Sequence, residues 1–138
     1  MAGKVKARLI YSSISLSERV SGLGVKGALL FTWLLAHCDD QGRFAGNARK
    51  VKAAVVPLLD ELGDEEVNEL LSAMDLAGLI YRYPAGKRAL IQVLDWWEFN
   101  RGLRFTAPSR YPAPPNWRDR VTGRDEAGRF RRSHEREP

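Results

Sequence analysis

Between residues 5 and 23 short apolar pieces are broken by serines and hold no sustained period. The pattern then changes. Residues 25–38, VKGALLFTWLLAHC, are apolar nearly all round, which predicts a buried helix for other elements to pack against. DDQGRFAG follows, a turn through Gly42 leading into a short strand, Arg43–Ala45. Asn47 is placed to cap a second helix. In it Val51, Ala54, Val55 and Leu58 recur at the i, i+3, i+4, i+7 spacing of a one-sided stripe, and Pro57 should end or kink it.

A third helix opens at Asp64, read as its N-cap, with Glu65 and Glu66 in the first turn where the helix dipole favours anions. Val67, Leu70, Leu71, Met74 and Ala77 form its core stripe. Gly78 suits the left-handed position past its end. Residues 79–83, the turn PAGK and residues 88–94 read as a hairpin. Ile80 alternates with Arg82 and Tyr81 with Tyr83, so one face is expected to be buried and the other wet. Helix, short strand, helix, helix, strand, strand is the order of a winged helix-turn-helix domain. The expected fold is therefore mostly α with a small β-hairpin over residues 1–103. A Pro- and Arg-rich tail, 104–138, is expected to be disordered.

At 138 residues the chain has room for one domain and one modest core. No apolar run reaches the length of a membrane span and the N-terminus lacks the apolar core of a signal peptide. A single cysteine, Cys38, rules out an internal disulfide framework and suits a reducing, cytoplasmic setting. Charge changes the picture more. Residues 1–100 hold 12 basic and 12 acidic side chains, whereas residues 101–138 hold 10 arginines against 5 acids, so the net charge of +5 belongs to the tail. Within the body Lys4, Lys6 and Arg8 precede any acid, and Arg49, Lys50 and Lys52 cluster. Asp60, Glu61, Asp64, Glu65, Glu66, Glu69 and Asp75 then follow without a base among them.

Three stretches carry a family resemblance: GALLFTWLLAHCDDQGRFAGN, then VKAAVVPLLDELGDEEVNELLSAMDLAGLIYRYPAGKRALIQV, then DWWEFNRG with the following PSRYPAPP. In order and spacing, over residues 5 to about 115, the chain resembles phage replication initiation and replisome organiser proteins related to the DnaD-type primosome N-terminal domain. The resemblance implies a winged helix that binds origin DNA or brings a helicase or helicase loader to it, in the cytoplasm of a bacterial host.

In such a fold the 64–77 helix usually enters the major groove, yet here it is acidic. Its exposed face is expected to carry Glu65, Asn68, Glu69, Ser72, Ala73 and Leu76. Only Asn68 and Ser72 suit base edges, and carboxylates oppose phosphate. Glu65, Glu69 and Leu76 instead suit a protein partner, or simply a solvated face. DNA contacts are sought at the wing, Lys87 and Arg88 with Arg82 beside them, and on Arg49, Lys50 and Lys52, all of which also suit plain solvation. The tail adds Arg101, Arg104 and Arg110, with Phe105, Tyr111, Trp117 and Phe130 interleaved among its arginines. That mixture suits single strands, through stacking and phosphate contact.

An enzyme is not expected. His37 and Cys38 stand beside Asp39 and Asp40 without the second cluster a metal site wants. The glycines at 22–24 and 42–46 lack the Lys-Ser/Thr of a phosphate loop. No cofactor is expected. A winged-helix transcriptional regulator and a protein-interaction adaptor docking through the acidic helix are the other readings.

Overall fold

A computed structural model of the chain describes residues 7–100 and 106–121, and the backbone of 123–124 and 130–131. A 3-10 helix, Ser12–Leu16, leads into the short α1, Glu18–Ser21, and then α2, Gly24–His37. These are followed by β1, Arg43–Ala45, α3, Ala48–Val55, and α4, Asp64–Leu76. Next come β2, Ile80–Ala85, β3, Arg88–Val93, and α5, Trp96–Phe99. The last two elements, β4, Gly123–Arg124, and β5, Phe130–Arg131, pair with each other. The fold is thus mixed, with helices packed on a three-stranded antiparallel sheet of order β1-β3-β2. No helix among the described residues is long and apolar enough to cross a membrane.

Local signals set most boundaries. Asn47 caps α3, its side chain accepting from the Arg49 and Lys50 amides. The helix ends at Val55, just before Pro57. After α4 the Leu79 amide donates to Met74 and the Gly78 amide to Asp75, with Gly78 at φ 78, the paired bonds of a Schellman end. The N-cap expectation for α4 is corrected. Gly63 holds that position, and Asp64 is the first helical residue, where its charge still meets the dipole. The α3 stripe is also narrower than expected. Val51 and Val55 are buried, but Ala54 is exposed and Leu58 is 89 % exposed. Because the helix stops at Val55, Leu58 is carried off its face, and Val56 and Leu62 from the following loop fill the core instead.

The core lies between α2, α3, α4 and one face of the sheet. Leu30, Phe31, Leu34 and Leu35 of α2 meet Val51, Val67, Leu71, Met74, Ile80, Ile91, Val93 and Trp96. The opposite side of α2 stays in solvent at Val25 and Trp33, so this helix is less enclosed than its composition predicts. Lys26 to Glu66 at 3.3 Å joins α2 to α4. Gly42 is required by geometry, with φ 82 and Trp96 atoms 2.7 Å from where a Cβ would stand.

Strand register places Arg43, Gln92 and Tyr81 on the outer face, with Ala45, Leu90 and Tyr83 beside them. That face is largely covered, with Tyr81 left 41 % exposed. Residues 106–121, expected to belong to a disordered tail, run across it as a strap and bury Tyr83, Leu90 and Gln92. The expectation fails for these residues because polar anchors substitute for an apolar core. The rest of the expected tail, except the β4 and β5 backbone, lies outside the described residues.

Candidate nucleic-acid interface

The residues expected to contact DNA fall into three groups. Arg49 and Lys50 are exposed at the start of α3, where no acid occupies the first turn. Lys87 is exposed in the two-residue hairpin turn, flanked by the Ala85–Arg88 pair. The Gly46 amide donates to the Ala89 carbonyl at 2.8 Å, so the start of α3 and the hairpin turn share one end of the sheet. None of these three cations is in an ion pair among the described residues.

Arg82, Asn68 and Ser72 form the second group, and the structure brings them together. The Arg82 guanidinium donates to Asn68 Oδ1 at 3.0 Å, to Ser72 Oγ at 3.3 Å and to the Gly46 carbonyl at 2.9 Å. Its amide donates to the Asp75 carboxylate at 2.9 Å. Arg82 therefore ties α4, β2 and the β1–α3 junction, and the oxygens of Asn68 and Ser72 are aimed at it. Lys52 is likewise engaged within the fold. Its Nζ donates to the Val56 and Leu59 carbonyls at 2.8 and 2.6 Å, capping the end of α3 where a cation suits the dipole. The expectation that Lys52 points away to solvent is corrected, since its flexible stem carries Nζ to carbonyls just past the helix end, which it shares with the Leu59 and Leu62 amides.

Arg88 and Arg110 make the third group, at the strap. Arg88 lies over the Tyr111 ring at 5.7 Å and Arg110 is exposed next to it. Arg110 and Tyr111 also border a cavity of about 430 Å³ shared with Arg8, His37 and Asp40. Arg101 and Arg104, with Phe105 and the Phe130 side chain, lie outside the described residues. On α4, Glu65 and Glu69 are exposed and Leu76 is 90 % exposed, so the expected outward face is observed.

What fastens the strap was not legible locally. Arg43, 1 % exposed, donates to Gln92 Oε1 at 2.8 Å, to the Tyr111 carbonyl at 3.1 Å and bidentately to the Asp119 carboxylate. Gln92 Nε2 donates to the Gln41 carbonyl at 2.8 Å. Gln41 then holds the strap at both ends. Its Nε2 donates to the Ala107 and Arg120 carbonyls at 2.8 and 2.6 Å, and its Oε1 accepts from the Arg120 amide at 2.9 Å. Asp39 accepts from Ser109, and Asp40 from the Ala107 amide. The Tyr83 hydroxyl donates to the Pro112 carbonyl at 2.6 Å. Burial pushes the Tyr83 phenol up to about 12, against a smaller opposing pull from the Arg43 charge.

Arg118 and Arg120, not singled out in the sequence, are exposed on the strap. Arg120 lies over Trp97 at 4.9 Å. Tyr111 and Trp97 thus each carry an arginine on a ring face, which occupies that face against a base. No family model, curated protein or solved structure matches this chain.

Proposed function

We propose that this is a DNA-binding protein of the winged-helix type, with the β2–β3 hairpin as its wing, acting in replication initiation as a replisome organiser of the phage type. It works by docking, without chemistry of its own. The observation that carries the reading is the grouping of Arg49, Lys50 and Lys87 at one end of the sheet, with no acid in the first turn of α3. Such a site offers positive side chains and a helix N-terminus to phosphate. The strand order β1-β3-β2, with helices preceding and following β1, supports the winged-helix assignment. The acidic face of α4, with Leu76 standing out from it, is left to a protein partner such as a helicase or its loader.

The test is Arg49→Ala, Lys50→Ala and Lys87→Ala combined. All three side chains are exposed, so thermal stability should hold to about 0.5 kcal/mol per site. Affinity for every duplex should fall by a similar factor, because phosphate contacts position without reading sequence. The log–log salt slope should fall by about 0.9 for each phosphate that is no longer neutralised. A folded triple variant with unchanged binding and slope rejects the proposal.

A further inference from the structure

The strap is more than a cover for the sheet. Residues 106–121 contain three arginines, Arg110, Arg118 and Arg120, and one acid, Asp119. All three arginines are exposed. The acid is turned inward and engaged by the buried Arg43. Pairing Asp119 with a cation that solvent never sees removes the one negative charge from the strap's outer side. The ridge therefore presents positive charge alone, held in place by the Gln41 and Arg43 anchors.

It also meets the hairpin, since Arg88 beside the turn stacks on Tyr111 of the strap. Positive side chains thus continue from Lys87 through Arg88 to Arg110, and at the strap's far end Arg120 sits over Trp97 of α5. Seven of the body's acids lie on and before α4. Beside the strap, Asp39 is engaged by the Ser109 hydroxyl and Asp40 by the Ala107 amide and Arg8, while Glu98 is exposed on α5. The occupied ring faces of Tyr111 and Trp97 disfavour base stacking, which leaves the phosphate backbone as the target. We propose that a DNA duplex lies along the strap with its backbone against Arg110, Arg118 and Arg120, the hairpin turn at one end of the footprint, and α4 turned away. This rests on the reading that the hairpin turn touches DNA, and it adds a fixed surface and an orientation.

The experiment compares Arg110→Glu, Arg110→Lys and the Arg49, Lys50, Lys87 triple-alanine variant in full-length chain. The probes are a random-sequence duplex and its single strand, titrated across salt. Arg110→Glu should weaken duplex binding several-fold and lower the salt slope by about 0.9 or more, with an unchanged melting temperature. Arg110→Lys should behave as the parent. If the triple variant loses affinity while Arg110→Glu does not, the strap is off the DNA and this inference fails alone. If neither loses affinity, the DNA-binding reading itself fails. A loss by Arg110→Glu confined to the single strand also overturns the duplex assignment.

Discussion

Tyr83 shows how much a single side chain can depend on a segment far along the chain. Its ring is 5 % exposed because the strap lies over it, and its hydroxyl donates to the Pro112 carbonyl. With the phenol held protonated to about 12 instead of 10, the folded state keeps a proton that the unfolded chain gives up between those values. Stability from this group is complete below pH 10 and is lost as the pH rises through 12. Absorbance titration at alkaline pH should show a late step near pH 12 that Tyr83→Phe removes. A curve that Tyr83→Phe leaves unchanged there would mean that the strap does not seal this site. Single residues were legible from sequence where the signal is local. Asn47 caps a helix with its side-chain oxygen, and Pro57 and Gly78 stop or end one through their own backbone chemistry. Arg82 is placed beside the wing turn by its position alone, and nothing nearby in sequence announces Asn68, Ser72 and Gly46 as its partners.

Among the elements, the strap differs most from expectation. Its composition, proline and arginine with few aliphatics, is that of a chain unable to pack a core. What holds it instead is a polar frame in which Arg43 and Asp119 are 76 residues apart and Gln41 reaches backbone carbonyls on both strap ends. Such pairings leave no periodic trace, so helices and strands could be read while this element could not. The frame should fail sharply. Asp119→Asn leaves the buried Arg43 without its counter-charge, at a cost of about 3 kcal/mol or more. Denaturant unfolding should report that loss. Limited trypsin digestion should cut at Arg110 or Arg118 earlier than in the parent. A variant as stable and as resistant as the parent would show that the pair does not fasten the strap.

At the scale of the whole molecule, charge is segregated. Most exposed acids gather on and before α4, with Glu18 and Glu98 elsewhere, and the exposed arginines of the strap lie across the sheet from α4. Glu65→Gln with Glu69→Gln should therefore leave DNA sequence preference unchanged. It should raise general affinity only slightly, an effect screened over roughly 10 Å at 0.1 M salt. Selection from random duplexes decides it, since a shifted consensus in this variant would put α4 in the groove. The sheet's rim has a consequence for how copies of the protein coexist. Ala89 and Val93 of β3 bond toward β1, so β2 turns residues 82 and 84 outward. The first has its amide taken by Asp75 and the second is proline, which has none. A neighbouring chain finds little there to zip onto. Copies of the protein brought close together are therefore guarded against pairing strand to strand along the β2 edge.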